Sequence, residues 1–99
     1  MPDLPPITSY RLTDHARFEM NRRQISETDV ATVLKEAEQT ETLRAGRAVY
    51  QSRLQAGETP KSYLLRVVVD TDRDPSEVVT AYLTSKIQRY WRVKNESDL

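Results

Sequence analysis

The hydrophobic residues of this chain change their spacing at Gly46. Before this position, apolar residues recur at helical intervals, and Val30, Val33 and Leu34 form the clearest stripe. After it, branched residues follow the alternation of strands, most strongly over residues 63–70. Helices followed by strands predict an α+β fold, with two N-terminal helices packed on one face of an antiparallel sheet of three to four strands.

Capping residues indicate where the two helices begin. Thr13 or Asp14 supplies a side-chain oxygen at the start of the first helix, which we expect to end near Arg22. Ser26, with an acidic residue three positions later, predicts the start of the second helix. The polar residues 38–42 that follow the second helix predict a loop that ends near Gly46.

The remaining segments are assigned from turn residues and from period-two alternation. Residues 7–12 predict a short edge strand, and residues 86–94 predict either a short strand or a helical tail. Three strands are predicted at residues 47–54, 63–70 and 77–84. Residues 55–60 predict a hairpin loop between the first two, and residues 70–76 predict a turn between the last two.

A length of 99 residues suits one domain, which we place at residues 8–93. Three prolines in the first six residues predict a flexible leader at 1–7, and residues 94–99 predict a frayed tail. The absence of cysteine, of a long apolar run and of signal-peptide features predicts a cytoplasmic protein that does not contact membranes. Fifteen basic and fifteen acidic residues cancel, which argues against a strongly basic nucleic-acid binder.

Alternation along the strands predicts which side chains face the helices. In the strand predicted at residues 63–70, Leu65, Val67 and Val69 are expected to point towards the helices, and Arg66 is expected to point away. In the last strand, the residues expected to point towards the helices are Val79, Ala81 and Leu83. Those expected to point away are Val78, Thr80, Tyr82 and Thr84. The sheet face away from the helices is therefore predicted to be a polar platform that includes Arg66 and Tyr82.

His15 is the only histidine, and it is the one side chain whose ordinary pKa lies near neutrality. It is a candidate for proton transfer, or else it packs at the helix terminus. Arg22 and Arg23 follow two turns later, so one of them can share a cleft with His15, unless both are ordinary solvated surface.

Arg66 lies among apolar residues, where a guanidinium is costly unless it meets an anion. That anion is either a carboxylate, such as Asp70 or a helix acid, or a phosphate of a ligand. Near the C-terminus cations and aromatic residues interleave, which suits stacking on unpaired bases and equally suits cover for the core. These residues are Lys86, Arg89, Tyr90, Trp91, Arg92 and Lys94. With one histidine and no cysteine, we expect no metal site and no cofactor.

Several short motifs occur in a characteristic order over residues 10–92. They are His15-Ala16, Met20, Arg23-Gln24-Ile25-Ser26, Gly46-Arg47 with Tyr50, a valine-rich strand, Val79-Thr80-Ala81-Tyr82 and Tyr90-Trp91. In this order they resemble the bacterial family called domain of unknown function 4258. That family is grouped with the barnase–colicin–RelE ribonucleases, many of which are toxins of toxin–antitoxin pairs. The resemblance implies a RelE-like fold, RNA as substrate, a small antitoxin protein as partner, and cleavage of mRNA without a metal ion.

The resemblance also implies a set of site residues. The implied catalytic residues are His15, Arg23, Arg47, Arg66 and Tyr82, with His15 as acid or base and the arginines as phosphate clamps. The implied substrate-binding residues are Arg22, Tyr50, Thr80, Thr84 and Lys86.

The chain departs from the family pattern at two positions. Glu19 and Gln24 stand where family members usually have Arg and Gly. Glu19 either shares protons with His15 or forms an ion pair with Arg22 or Arg23. Glu19 and the zero net charge favour an alternative function, a non-catalytic protein- or RNA-binding module that keeps the fold.

Overall fold

The structure, a computed structural model, describes residues 4–56 and 61–92. Within them the chain forms the following elements: β1 (Tyr10–Leu12), α1 (Asp14–Arg23), α2 (Glu27–Glu36), β2 (Gln39–Arg44), β3 (Arg47–Ala56), β4 (Lys61–Asp70), β5 (Ser76–Thr84) and α3 (Ile87–Tyr90). The strands form one sheet in the order β1-β5-β4-β3-β2. β1 is parallel to β5, and the other neighbouring pairs are antiparallel.

The predicted α+β class is confirmed, but the predicted strand count was wrong because the sheet has five strands. The segment predicted as a loop after α2 is strand β2, which pairs with β3 at the sheet edge. Only Thr40 is buried in β2, so this strand carries no apolar alternation that marks it. The edge strand predicted at 7–12 is shorter and begins at Tyr10.

The predicted helix starts are confirmed by two side-chain caps. The hydroxyl oxygen of Thr13 accepts a hydrogen bond from the Ala16 amide at 3.0 Å, and that of Ser26 accepts one from Asp29 at 3.0 Å. Each bond satisfies an amide that has no partner inside its helix. The alternative of a helix for the C-terminal segment is also confirmed, since α3 is a single helical turn.

The core lies between the two long helices and one face of the sheet. α1 packs against β5, and α2 packs against β3 and β4. The predicted strand face is confirmed, because Leu65, Val67 and Val69 are buried in this core. The other predicted core residues are buried or partly buried there as well: Val30, Val33, Leu34, Ala81 and Leu83. Phe18 on α1 lies outside this core and is 61% exposed.

A β-bulge in β5 changes the facing of one predicted residue. Thr80 pairs with Val68, while Val78 pairs with Val69, so β5 has one extra residue between them, Val79. The shift turns Val78 into the core, where it is fully buried, and the prediction that it faces away from the helices was wrong. Beyond the bulge Thr80 keeps its predicted side.

Hydrogen bonds hold the N-terminal segment against α2 and the sheet. The predicted leader includes residues 4–7, and in this part the Ile7 amide donates to the Leu34 carbonyl at 2.8 Å and the Tyr50 hydroxyl donates to the Pro5 carbonyl at 2.7 Å. The rest of the leader, the loop residues 57–60 and the predicted tail lie outside the described residues. Within those residues no helix has the length and apolar character of a membrane span.

Candidate functional site

The side chain of Arg66 lies at the centre of the sheet face opposite α1 and α2, which we call the polar face. Arg66 on β4 pairs in register with Gln51 on β3 and with Tyr82 on β5. Its Nε donates to Gln51 Oε1 at 2.8 Å and its Nη1 donates to the Tyr82 hydroxyl at 2.6 Å. Its Nη2 lies 3.6 Å from the carboxylate of Glu41 on β2. The prediction that Arg66 and Tyr82 lie on neighbouring strands and share a face is confirmed.

The anion predicted for Arg66 is a carboxylate from an unexpected strand. Asp70 lies four residues further along β4 and pairs with Arg47 instead. Among the described residues, no acidic side chain of a helix contacts Arg66. Arg66 is 8% exposed, and each of the three nitrogens of its guanidinium has a polar partner. Arg66 is therefore a fixed, satisfied cation in the middle of the polar face.

Tyr90 covers this cation from the C-terminal segment. The guanidinium carbon of Arg66 lies 4.2 Å from the centre of the Tyr90 ring, a close cation–π contact. The rings of Tyr82 and Tyr90 meet edge to face with centres 6.3 Å apart. The Tyr90 carbonyl accepts from the Gln51 amide at 3.3 Å, which ties α3 to the sheet. We call Gln51, Arg66, Tyr82 and Tyr90 the Arg66 cluster.

Arg23 reaches the same cluster from the end of α1. Its Nη1 donates to the Ala81 carbonyl at 3.3 Å, and its guanidinium carbon lies 5.9 Å from the centre of the Tyr82 ring. β1 pairs only with the first residues of β5, so the edge of β5 is open where Arg23 binds it. The structure thus brings Arg23, Arg66 and Tyr82 together, three of the residues that the family resemblance implied for one site.

Glu19 holds the arginines at the end of α1. Its carboxylate lies 2.6 Å from Arg22 Nη2 and 3.1 Å from Arg23 Nε, which is the ion-pair alternative of the two considered from the sequence. The hydrogen bond from Arg22 lowers the pKa of Glu19, and the charges of Arg22, Arg23 and His15 lower it further. Glu19 is thus an ionised carboxylate that sets the direction of the Arg23 side chain.

His15 lies one helical turn before Glu19, on the exposed side of α1. Among the described residues it makes no hydrogen bond and no ion pair. His15 is itself exposed to solvent, as a proton carrier requires, but it is not part of the Arg66 cluster.

Arg47 lies away from the cluster, at the other end of β3. Arg47 pairs in register with Asp70. It lies four residues from Gln51 along β3, and four residues of a strand span about 13 Å. Its Nε and Nη2 donate to the two Asp70 oxygens at 2.6 and 3.1 Å, and this pair lowers the pKa of the Asp70 carboxyl. Arg47 also borders a cavity of about 490 Å³ beneath the N-terminal segment. The structure therefore separates the implied phosphate clamp Arg47 from Arg66 and Tyr82.

The implied substrate-binding residues divide between the two faces. Thr80 and Thr84 lie on the polar face with Tyr82, and Lys86 is exposed just after β5. Arg22 is an exposed partner of Glu19. Tyr50, by contrast, is 2% exposed on the face that packs against the helices, so the structure does not place it with this set.

Sequence reasoning missed Gln51 and Glu41, which complete the surroundings of Arg66. Gln51 is 2% exposed, and its amide nitrogen also donates to Gln39 Oε1 at 2.8 Å. A buried glutamine in a strand is a recognisable signal, because its amide requires partners on both ends. Glu41 gave no signal of this kind, because its strand was predicted as a loop. Within residues 4–56 and 61–92, no group of three or more His, Asp or Glu side chains is placed to hold a metal ion.

A family model described as "Domain of unknown function (DUF4258)" matches residues 12–83 of the chain. The matched span runs from the end of β1 to the end of β5, and it contains Arg23, Arg66 and Tyr82. No curated protein and no solved structure matches the chain. The match covers well over half of the chain, and both long helices and four of the five strands lie almost wholly inside it. The chain therefore belongs to the DUF4258 family.

Proposed function

We propose that this protein is a metal-independent, RelE-like endoribonuclease that binds single-stranded RNA on its polar face and acts as the toxin of a toxin–antitoxin pair. The observation that carries the proposal is the 2.6 Å hydrogen bond between Arg66 Nη1 and the Tyr82 hydroxyl. A buried cation orients a phenol at the centre of a face that carries further cations and aromatic rings.

RNA contains its own nucleophile, the 2′-hydroxyl, so strand cleavage needs only positioned acid–base and cationic groups. The 2′-oxygen attacks the adjacent phosphorus and its proton leaves to water, while the bond from phosphorus to the 5′-oxygen breaks. Tyr82 donates its phenolic proton to the departing 5′-oxygen and is reprotonated by solvent. The products are a 2′,3′-cyclic phosphate and a 5′-hydroxyl end.

The cations around Tyr82 have different roles in this proposal. Arg66 is a positioning residue, because it is buried and holds the phenolic oxygen at its Nη1. Arg23 has a side chain that is 35% exposed beside the Tyr82 ring, so it contacts the phosphate. Lys86 and Arg89 are exposed at the same end of the sheet and attract the RNA backbone.

The purified chain and its Tyr82→Phe variant test the proposed chemistry. We expect the wild type to cleave a labelled single-stranded RNA in the presence of EDTA, to leave 2′,3′-cyclic phosphate ends, and to spare an oligonucleotide with 2′-deoxyribose at the cut position. Tyr82→Phe removes one hydroxyl and is expected to slow cleavage by about 10²–10⁴-fold. Tyr63→Phe is the matched control, because Tyr63 lies on the other face of the sheet and its hydroxyl has no hydrogen-bond partner among the described residues.

Expression in cells tests the proposed toxin role. Induction of the wild type is expected to stop growth, and Tyr82→Phe is expected to relieve the arrest at equal protein levels. Wild-type cleavage that Tyr82→Phe leaves unchanged, or growth that induction does not affect, contradicts the corresponding part of the proposal.

A second candidate function is a non-catalytic RNA- or protein-binding module. The ion pair of Arg47 with Asp70 and the position of His15 outside the Arg66 cluster favour it, because two implied catalytic residues do not meet the others. In the same assay this candidate predicts that neither the wild type nor Tyr82→Phe cleaves RNA, and its RNA-binding form predicts that both bind RNA alike.

A further inference from the structure

A cavity of about 600 Å³ opens beside the Arg66 cluster, on the side of the β3–β4 hairpin. Its walls are formed by Arg53, Ser62, Ile87, Gln88 and Trp91. Arg53 lies two residues after Gln51 on β3, so both side chains point to the polar face about 7 Å apart. The cavity is therefore the next position along the polar face from Arg66.

Trp91 forms an aromatic wall of this cavity. The guanidinium carbon of Arg53 lies 4.2 Å from the centre of the indole ring. Arg53 is itself fixed, because its Nε and Nη2 donate to the two Glu38 oxygens at 3.1 and 3.0 Å. The Trp91 amide donates to the Ile87 carbonyl at 2.8 Å, and its side chain is only half-buried. The indole is thus held in place with part of its surface open to the cavity.

The other walls offer hydrogen-bonding groups without an acidic side chain. Among the described residues, the Ser62 hydroxyl and the Gln88 amide line the cavity and have no hydrogen-bond partner. A glutamine amide presents one donor end and one acceptor end, which matches the edge of a nucleobase. Ile87 adds an apolar surface. A flat aromatic wall, a cation and free amide and hydroxyl groups together suit a planar heterocycle.

We infer that this cavity binds one unpaired base of an RNA strand, stacked on Trp91, next to the nucleotide that lies at the Arg66 cluster. The inference rests on the proposed function, since it assigns a base subsite to the same RNA. It predicts that the strand runs along the polar face from Tyr82 towards Arg53. Because every base has an aromatic face, the subsite tolerates all four bases and adds affinity.

The chain has a single tryptophan, so its intrinsic fluorescence reports on this cavity directly. We would titrate the full-length protein with a short 2′-O-methyl RNA oligonucleotide, which cannot be cleaved through its 2′-oxygen. A base stacked on the indole is expected to quench the Trp91 emission as the oligonucleotide saturates the protein. Fluorescence anisotropy of the same oligonucleotide with a dye label measures binding independently of tryptophan.

Variants separate stacking from general attraction. Trp91→Ala is expected to weaken binding in the anisotropy assay by about 5- to 150-fold, the range that corresponds to one stacked base. Trp91→Phe should retain most of the affinity, and Gln88→Ala should weaken it without unfolding risk, because Gln88 is exposed. Phe18→Ala is the matched control, since it removes an exposed aromatic ring from α1, away from the cavity.

The outcomes distinguish this inference from the proposed function. Binding detected by anisotropy with unchanged Trp91 emission, or with unchanged affinity in Trp91→Ala and Gln88→Ala, overturns the base subsite and leaves RNA binding intact. If neither measurement detects binding of the oligonucleotide to the wild type, both proposals are overturned.

Discussion

Replacement of Arg66 by methionine tests whether the buried cation organises the polar face. Methionine keeps the unbranched stem of arginine and fits beside Leu64 and Val68, which share this face of β4. It removes the two hydrogen bonds to Gln51 and Tyr82 and the stacking on Tyr90. Tyr82 is half-buried, so its hydroxyl can turn to solvent, whereas Gln51 is only 2% exposed and its side-chain oxygen cannot.

The expected cost follows from these contacts. An orphaned buried acceptor costs about 1–3 kcal/mol, and loss of the cation–π contact adds about 1 kcal/mol. The contact with Glu41 contributes little, because that carboxylate is 44% exposed. Since methionine also removes the desolvation cost of a buried charge, we expect a net loss of about 2–3 kcal/mol in the free energy of unfolding.

Urea denaturation followed by circular dichroism measures this loss, with equal slopes required for the comparison. A double variant, Arg66→Met with Gln51→Met, removes the acceptor as well, but Gln51→Met on its own also loses the bonds to Gln39 and Tyr90. The double variant is therefore expected to lose less stability than the sum of the two single variants, by about 1 kcal/mol or more. If Arg66→Met is as stable as the wild type, or if the losses of the two single variants simply add in the double variant, Arg66 does not organise the face as argued.

Three further predictions concern the frame around the site. Gly46→Ala should destabilise the chain by about 1–2 kcal/mol in urea, because Gly46 has φ of 82° and joins β2 to β3; an unchanged midpoint contradicts this turn. Val78→Ala should cost about 2–3 kcal/mol and Val79→Ala less than about 1 kcal/mol, since the bulge buries only the first fully; the reverse order contradicts the bulge. Arg47 lowers the pKa of Asp70 below its ordinary value of 3.8, so the ionised pair stabilises the fold above that pH and the contribution is lost as pH falls through the folded pKa. Asp70→Asn should therefore lower stability at pH 7 and flatten its decline between about pH 5 and 3 in pH-dependent unfolding, and a decline as steep as that of the wild type contradicts the pairing.

The order of the elements and the two faces of the central strands are properties of the sequence alone. Thr13 and Ser26 cap their helices through bonds that span three residues, so the signal is local and complete. The facing of Arg66 follows from strict period-two alternation within one strand, which does not depend on what the strand pairs with. Alternation likewise predicts that Tyr82 shares the face of Arg66, whereas its position directly opposite Arg66 depends on the register of β4 and β5.

Other features exist only because distant segments meet. β2 is a strand because β3 offers it hydrogen bonds, and its own residues lack apolar alternation. The facing of Val78 depends on a bulge, which is a property of the pairing between two strands. Likewise, Arg47 finds Asp70 and Arg66 finds Gln51 through strand register. Local periodicity determines which side a residue faces, but partners separated by fifteen or more positions are determined by tertiary pairing, and the composition of the candidate site depends on those partners.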